Sequence, residues 1–414
     1  MTERRRVVVT GIGAITPIGL SRDGLWQGLR REQSAVGPVT RFDASQFRSQ
    51  VAAEVCDFVA SDHIEAKRAK RLDRFGQFSV VAARMALEDA ELDLAREDRD
   101  RVGANMGSAL GGVAFAEEQS KRFLGGGLRA VDPIVALAVY GGAASCNIAI
   151  EFGISGPNST NAMSCASGTI AIGDAFRLIR DGYADAMLSG ASETPLAPLC
   201  YGAFALIRAM STRNDDPGHA SRPFDKDRDG FVMGEAAVVL VLEEYTRAVA
   251  RGARMYAEIV GYGTTNDAYH MTAPLPNGTQ AARSIRLALR DAALEPGEIG
   301  YVNAHGSSTP LNDPTETVAI KQVFGDGAYK VPVSGTKGYY GHALGASGAI
   351  EAAICSLSLT HEWLPPTINL EEPDSECDLD YIPSVGRDQR VEHVLSNSFG
   401  FGGINASLVF RRVN

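Results

Sequence analysis

The chain has 414 residues, of which 45% are hydrophobic and 22% charged, and its formal net charge is −10. This length allows one large or two ordinary domains with an ample core. An acidic chain has no overall basic field to attract nucleic acid, which we exclude as a main partner. Six cysteines without paired spacing or a C-x-x-C motif favour free thiols in a reducing cytoplasm over a disulfide framework.

The N-terminus resembles the start of a signal peptide, because Arg4–Arg6 precede an apolar run. However, Thr10, Gly11 and Gly13 interrupt that run and no small-residue cleavage site follows. We interpret Arg5–Thr10 as a first β-strand. No stretch approaches the roughly 20 apolar residues of a membrane span, so we predict a cytoplasmic protein without a membrane segment.

Strand and helix patterns alternate along the chain, which predicts an α/β fold with buried sheets. The predicted helices are 23–31 and 71–90, and the predicted strands are 102–106, 186–190, 236–242 and 299–302. The strands at 186–190 and 236–242 are continuous apolar runs, as expected where both faces of a sheet are covered.

Two motifs look like ligand sites and are rejected. Gly11-Ile-Gly13 follows a strand, but Thr16 stands at the third glycine position of a dinucleotide-binding fingerprint. Asp225–Gly230 resembles the start of a calcium-binding loop, but Ala236 stands where the bidentate glutamate belongs. A turn rich in capping residues is the better interpretation of that segment.

The stretch Asn161-Ala-Met-Ser-Cys165-Ala-Ser-Gly168 lies between a short strand and a predicted helix over 169–180, which Gly182 ends. Cys165 is therefore placed at a helix N-terminus, where unpaired N–H groups and the helix dipole favour a thiolate. A lone cysteine is more often structural, but the small neighbours Ala166, Ser167 and Gly168 leave room for a substrate.

Two histidines occupy similar positions later in the chain. His305, in Asn303–Thr309, follows a predicted strand, and His342 follows glycine in Gly338–His342. Lys337 precedes His342 by five residues. One such histidine is usually a loop or core residue; two of them together with a cysteine at a helix end suggest a catalytic centre.

The chain also resembles itself. Gly234–Leu242 has a counterpart in Gly403–Phe410, and Cys165–Gly168 with its helix has one in His342–Gly348. The repeat predicts two similar halves, 1–255 and 256–414, whose cysteine and histidine helices point at a shared centre.

These residues together resemble the β-ketoacyl-acyl carrier protein synthases of the thiolase superfamily, over essentially the whole chain. Synthase II is the closer branch, through Asp267-Ala-Tyr-His-Met271. The resemblance implies a thiolase-like fold, with two βαβαβ-type halves in α-β-α-β-α layers. Its markers are 161–168, 211–214, 222–225, 229–235, 303–309, 335–337, 341–342 and 397–403.

The resemblance implies a decarboxylating condensation of malonyl-acyl carrier protein with an acyl group held on Cys165, as in fatty acid elongation. His305 and His342 would bind the malonyl thioester carbonyl, and Lys337, paired with Glu316, would order the site. The backbone N–H groups of Cys165 and Phe401 would form the oxyanion hole, with Phe401 as a gate. A thiolate suits thioester exchange, and two imidazoles suit a developing enolate.

The family positions for substrate and carrier binding are Leu110, Phe204, Arg208, Thr272, Ser307, Thr309, Lys70, Arg71 and Arg129. The expected partners are acyl-loaded and malonyl-loaded acyl carrier protein, an acidic protein, and a second copy of the chain in a homodimer. The basic cluster 67–74 would attract the carrier locally; without the resemblance it is equally well a solvated helix face.

The resemblance implies no organic or redox cofactor. Members of the family often hold a buried monovalent cation, Na⁺ or K⁺, near the positions of Asn303, Glu351, Ser396 and Asn397, and we include that site among the expectations.

Three departures bear on the substrate: two tyrosines at 339 and 340, serine at 307 in place of threonine, and an unusual segment 136–144. A ketosynthase of a dedicated type II polyketide or polyene pathway is therefore the alternative. A thiolase is disfavoured because Gly400-Phe-Gly-Gly403 lacks the second catalytic cysteine. A chain-length partner subunit is disfavoured because such subunits lack the nucleophile.

Overall fold

The computed structural model describes residues 4–413, which form sixteen strands and thirteen α-helices. The strands are β1 (Val7–Thr16), β2 (Gly19–Leu20), β3 (Gly37–Pro38), β4 (Val51–Ala53), β5 (Val102–Gly107), β6 (Asn158–Asn161), β7 (Ala186–Glu193), β8 (Met233–Gly234), β9 (Ala236–Glu244), β10 (Ala257–Asn266), β11 (Tyr301–Asn303), β12 (Val333–Ser334), β13 (Trp363–Leu364), β14 (Arg387–Asp388), β15 (His393–Gly400) and β16 (Ile404–Arg411).

The helices are α1 (Ser21–Arg30), α2 (Ala66–Ala69), α3 (Arg74–Ala90), α4 (Val113–Gly126), α5 (Val135–Ala138), α6 (Ala143–Phe152), α7 (Ser167–Arg180), α8 (Pro198–Leu206), α9 (Tyr245–Ala250), α10 (Thr279–Ala292), α11 (Asn312–Phe324), α12 (Lys337–Tyr340) and α13 (Ser347–His361). Among residues 4–413, no helix has the length and apolar character needed to cross a membrane.

The main sheet is mixed and has the strand order β12-β11-β15-β16-β10-β1-β9-β7-β5-β6. Read outward from the central β1–β10 pair, both sides show the same pattern. The antiparallel neighbours β9 and β16 come first, then antiparallel β7 and β15, then parallel β5 and β11, and finally parallel β6 and β12. The internal repeat is therefore present strand by strand, with a pseudo-twofold axis at the central pair.

The predicted division of the chain into two halves at residue 255 falls just before β10 begins. Residues 1–3 and 414 of those halves lie outside the described part of the chain.

The layers follow from which faces are apolar. Helix α3 covers the outer face of β1 and β9, α10 covers β10 and β16, and α7 packs against α13 between the two halves of the sheet. Helix α13 is buried all around from Ser347 to Leu359, as a central helix must be. The result is the α-β-α-β-α arrangement that the resemblance implied.

The rejected glycine motif has a packing role. A Cβ on Gly13 would lie 1.9 Å from the backbone oxygen of Ala82 in α3, and one on Gly263 of β10 would lie 2.3 Å from that of Ser284 in α10. Each glycine lets an outer helix lie directly on its strand. The Asp225 carboxylate is likewise structural, since it is fully buried and accepts hydrogen bonds from Arg222 and from the backbone of Asp227.

Several predicted boundaries move by a few residues. The long helix begins at Arg74 rather than at residue 71, because the Asp73 side chain caps it by accepting from the backbone N–H of Gly76. The first strand extends to Thr16, beyond the predicted end at residue 10, because Gly11 and Gly13 stay in the sheet beneath α3.

Candidate active site

The N-termini of the two central helices face one cavity of about 330 Å³. Ten of the predicted site residues line it: Cys165, His305, His342, Phe401, Leu110, Phe204, Arg208, Thr272, Ser307 and Thr309. Lys337 and Glu316 are fully buried and are not among the lining residues. Residues far apart in the sequence therefore converge from both halves of the fold.

Cys165 lies in a single 3₁₀ turn, Ser164–Ala166, that leads directly into α7. Ser164 has a φ of 48°, a left-handed conformation that turns the chain sharply from the strand into the helix. Gly400 lies against this turn, since a Cβ there would be 3.1 Å from the backbone nitrogen of Cys165. The close approach brings the Gly400-Phe401 segment beside the sulfur.

Burial opposes the thiolate that the helix end would favour at Cys165. Burial raises the pKa of the Cys165 thiol to about 11 and outweighs the charge of Lys337 and the backbone N–H of Phe401, which both lower it. At neutral pH the sulfur carries its proton. Acyl transfer therefore requires a base to receive that proton.

The imidazoles of His305 and His342 lie side by side, with ring centroids 5.3 Å apart and planes inclined by 78°. Burial, and next the charge of Lys337, lower the pKa of both histidines well below the ordinary value, so both rings are neutral at pH 7. Two neutral imidazoles can each accept a proton at one nitrogen and donate one at the other.

Hydrogen bonds orient both rings. The Nδ1 of His305 is 3.4 Å from the Nζ of Lys337, and because an ammonium group only donates, that Nδ1 accepts and the proton of the ring lies on Nε2. The Nδ1 of His342 is 2.8 Å from the hydroxyl of Ser347, at the start of α13. Ser347 escaped the sequence analysis, although the repeat places it opposite Ser167.

The predicted pairing of Lys337 with Glu316 is wrong. Lys337 donates instead to the carboxylate of Glu351 on α13 and to the carbonyl oxygen of His305. Glu316, on α11, accepts from the backbone N–H groups of His305 and Gly306, each at 2.9 Å. Sequence spacing could not separate these two glutamates, because each lies on a helix close to Lys337 in the chain and reaches the site by tertiary packing.

The expected cation residues lie behind the cavity. The register of β11 and β15 pairs Asn303 with Ser396, and both Asn303 Oδ1 and Ser396 Oγ are buried without a hydrogen-bond partner among residues 4–413. Unpaired oxygens suit a hard monovalent cation. The other two residues are engaged: Glu351 pairs with Lys337, and Asn397 Oδ1 accepts from Ser407. Of the four expected residues, only Asn303 and Ser396 therefore have an oxygen that the described chain leaves free for the cation.

Different residues form the apolar wall of the cavity and its entrance. The rings of Phe204 and Phe401 stack with centroids 6.3 Å apart, and Leu110 lies on the loop that follows β5. Arg208 and Thr272 are exposed. The hydroxyls of Ser307 and Thr309 are 2.8 Å apart, so the serine found in place of threonine still provides a paired hydroxyl.

The predicted basic cluster is partly committed to structure. Arg74 forms a two-point ion pair with the buried carboxylate of Glu235, and Arg68 contacts Glu151. Lys70 and Arg71 are exposed, in the turn between α2 and α3 rather than on the long helix as predicted. Arg129 is exposed and does not line the cavity.

The two unusual tyrosines do not reach the cavity. Tyr339 and Tyr340 are fully buried, and the Tyr340 hydroxyl is 2.7 Å from that of Thr336. They therefore change the core behind the site and not the wall that would meet a substrate.

Comparisons with known proteins show the family of this chain. The family model "Beta-ketoacyl synthase, N-terminal domain" matches residues 4–248, and "Beta-ketoacyl synthase, C-terminal domain" matches residues 256–371. The chain is 50% identical to a 3-oxoacyl-acyl-carrier-protein synthase 2 of Synechocystis and 46% identical to one of Coxiella burnetii, over 99% of both chains in each case.

A solved structure of a type II polyketide acyl-carrier protein in complex with its ketosynthase bound to a hexaketide is also similar. Its TM-score is 0.92 at 37% identity, covering 99% of this chain and 100% of the other. With family models covering most of its length and relatives at half identity over nearly all of it, the chain belongs to the beta-ketoacyl synthase family.

Proposed function

We propose that this protein is an acyltransferase that condenses malonyl-acyl carrier protein, with loss of carbon dioxide, with an acyl group held on Cys165, giving a 3-oxoacyl-acyl carrier protein in fatty acid elongation. The observation that carries the proposal is the convergence of a cysteine and two neutral histidines on one cavity. The names of the two relatives at 50% and 46% identity support fatty acid elongation.

In the first step, the sulfur of Cys165 attacks the thioester carbonyl of an acyl-loaded carrier. The thiol proton passes to a neutral imidazole of the pair and then to the sulfur of the departing carrier. The backbone N–H groups of Cys165 and Phe401 donate to the oxyanion that forms on the carbonyl. The acyl chain lies along Leu110, Phe204 and Phe401.

In the second step, the malonyl thioester carbonyl accepts hydrogen bonds from His305 Nε2 and from His342. These donors stabilise the negative charge that develops on the carbonyl oxygen as the bond to the carboxylate breaks and carbon dioxide leaves. The resulting enolate attacks the acyl carbon on Cys165, the new carbon–carbon bond forms, and the cysteine sulfur leaves. Lys337 and Glu316 hold His305 from behind.

The partner that delivers both substrates is acyl carrier protein. Lys70, Arg71, Arg129 and Arg208 are exposed and positively charged, and they supply a local attraction that the net charge of −10 does not. Thr272, Ser307 and Thr309 lie where the arm that carries the thioester would enter.

A second copy of the chain is the other partner. Strand β6 ends the sheet, pairs only with β5, and has an unpaired outer edge among the described residues. The segment between these strands exposes large apolar side chains, at Phe123, Leu124, Leu128, Leu137, Tyr140 and Ile150. Because a free edge beside an apolar face is a ready pairing surface, two copies join their sheets through β6 in a homodimer.

The reaction requires no organic cofactor, and we place it in the cytoplasm. A monovalent cation, Na⁺ or K⁺, would be held by Asn303 Oδ1 and Ser396 Oγ, with Glu351 and Asn397 adjoining. The cation would coordinate these two unpaired oxygens behind the histidines and so hold β11 against β15.

The alternative function is a ketosynthase of a type II polyketide or polyene pathway. The similarity to the polyketide ketosynthase structure, at 37% identity, favours it less than the relatives at 50% and 46% favour fatty acid elongation.

Product analysis separates the two functions. The protein is incubated with malonyl-acyl carrier protein and a panel of saturated acyl carrier proteins, and the products are identified by mass. Fatty acid elongation gives a single two-carbon extension per added malonyl unit with 3-oxo products. Repeated extension without reduction, giving poly-3-oxo chains, would favour the polyketide function instead.

A further inference from the structure

Glu193 is a buried carboxylate that the mechanism above does not use. It is the last residue of β7, it has no exposed surface, and it forms no ion pair within the described chain. Four neutral donors hold it. Its Oε1 accepts from the N–H of Leu110 and the hydroxyl of Ser108, both at 3.1 Å, and its Oε2 accepts from the N–H groups of Ala109 at 2.6 Å and Gly345 at 3.0 Å.

The four donors come from two functional segments. Ser108, Ala109 and Leu110 form the loop that follows β5 and carries an acyl-pocket side chain. Gly345 lies in the 3₁₀ turn Leu344–Ala346, between His342 and the start of α13. One carboxylate therefore joins the wall of the acyl pocket to the turn that follows His342.

The pseudo-twofold axis explains why an anion fits there. Gly345 occupies the place in its 3₁₀ turn that Cys165 occupies in the first half, and the preceding residues, Leu344 and Ser164, have left-handed φ angles of 42° and 48°. The N–H of Gly345 is thus the counterpart of the N–H of Cys165. Backbone N–H groups at such turns attract negative charge.

The strands correspond in the same way. Glu193 ends the eight-residue β7 opposite Ala236 of β9, and Gly400 ends the eight-residue β15 opposite Ile404 of β16. At the Cys165 turn, Gly400 leaves the N–H of Cys165 open to the cavity. At the Gly345 turn, the carboxylate of Glu193 fills the equivalent place.

We propose that Glu193 is a positioning residue, whose carboxylate fills the symmetry counterpart of the oxyanion hole and thereby couples the Leu110 pocket wall to the placement of His342. The inference rests on the proposed function. Loss of this connection allows the Leu110 loop to move away from the cavity and the His342 turn to shift, so chain-length selection and decarboxylation change together.

The test compares Glu193→Gln with wild-type protein. The amide keeps the shape but replaces one acceptor oxygen with a donor, so one of the four hydrogen bonds is lost if the NH2 group faces Ser108 and two are lost in the other orientation. We expect loading of Cys165 with short acyl carriers to stay within about threefold of wild type, while kcat for condensation falls about tenfold or more, since small misplacement of a catalytic group is costly. The amount of Cys165 loaded with the longest acyl chain, relative to the amount loaded with the shortest, should rise.

Glu243→Gln is the matched control. Glu243 is also fully buried, but it lies at the opposite end of the sheet, where it accepts from Thr10 and Arg251. This variant should lower the melting temperature. It should change neither the loading of long relative to short acyl chains nor the kcat for condensation. Ser108→Ala, which removes a single donor, provides a milder variant should Glu193→Gln fail to fold, and should change both readouts in the same direction by a smaller factor.

If wild-type protein does not condense, the proposed function is overturned and this inference with it. If wild-type protein condenses, but Glu193→Gln or Ser108→Ala lowers all chain lengths and both half-reactions by the same factor, only the positioning role of Glu193 is overturned.

Discussion

Cys165 illustrates how a buried site sets the chemistry of a single side chain. A helix N-terminus alone would lower the pKa of a thiol, but this sulfur is also removed from water, and the loss of hydration dominates. Burial therefore favours the thiol form of Cys165 at neutral pH.

The first prediction concerns pH. Because the pKa of Cys165 is raised to about 11, the fraction present as thiolate should increase about tenfold per pH unit from pH 7 to 9. Alkylation of Cys165 by iodoacetamide, followed by peptide mapping, should rise at the same rate without a plateau. A plateau below pH 8 would mean that the site stabilises the thiolate, against this account.

Leu110 gives the second prediction. Leu110→Phe narrows the cavity, so the longest acyl chain loaded onto Cys165 should shorten, at about 0.8 kcal/mol or about fourfold in loading per excluded methylene. Intact-protein mass after incubation with acyl carriers of graded length measures this. Leu206→Phe, at an exposed position that does not line the cavity, should keep the wild-type profile. An unchanged profile in Leu110→Phe would place the acyl chain elsewhere.

For single residues, the sequence predicted which side chains belong to the site better than it predicted their hydrogen-bond partners. Cys165, His305 and His342 could be singled out because each stands at a glycine-flanked or small-residue end of an element. The partner of Lys337 could not, because Glu316 and Glu351 both arrive by tertiary packing. Glu193 was also missed, although a carboxylate that ends an otherwise small and apolar strand is a visible signal.

Among the elements, the short turn between α2 and α3 shows how capping decides which basic residues lie outside a helix. Asp73 caps α3 and starts it at Arg74, so Lys70 and Arg71 remain outside the helix and exposed. Helical periodicity alone extended the helix to residue 71, because the pattern of apolar residues does not show where the first turn is capped.

The third prediction tests that surface. Reversing Lys70 and Arg71 to glutamate should raise the KM for acyl carrier protein substrates several-fold, with a weaker dependence on salt, and should leave reaction with small thioester analogues unchanged. Steady-state kinetics at two ionic strengths measures both. The matched control, Arg290→Glu with Lys330→Glu, makes the same charge change at exposed positions outside the cluster. An equal effect of the two double variants would show only a general charge effect.

For the whole molecule, pseudo-twofold symmetry organises the fold. One asymmetry bears on function: Cys165 lies in one 3₁₀ turn, and Gly345 lies at the same place in the equivalent turn. Gly234–Leu242 and Gly403–Phe410 revealed the repeat in the sequence, and the sheet extends it to every main strand. The sequence matches were too short to show which residues of the two halves correspond. In the structure Gly11 pairs with Val241 in the first half and Gly261 pairs with Val409 in the second, so these pairs correspond.

The fourth prediction concerns the free edge of the sheet. The carbonyls of Pro157 and Asn161 accept from β5, so by alternation the N–H of Thr160 points away from it. Thr160→Pro should remove an outward donor and shift the protein from dimer to monomer mass in light scattering. Thr160→Ala, which keeps that N–H, should stay dimeric. Monomeric wild-type protein, or a dimeric Thr160→Pro, would contradict pairing through this edge.

We propose that one cavity holds two separable half-reactions, acyl transfer at Cys165 and decarboxylation at the histidines. The most direct measurement compares Cys165→Ala with His342→Ala, following release of labelled carbon dioxide from malonyl-acyl carrier protein beside the intact mass of the acyl-enzyme. Cys165→Ala should release carbon dioxide without condensing, and His342→Ala should carry the acyl group yet form no new carbon–carbon bond. Loss of both activities in folded Cys165→Ala, or normal condensation by His342→Ala, would contradict the account.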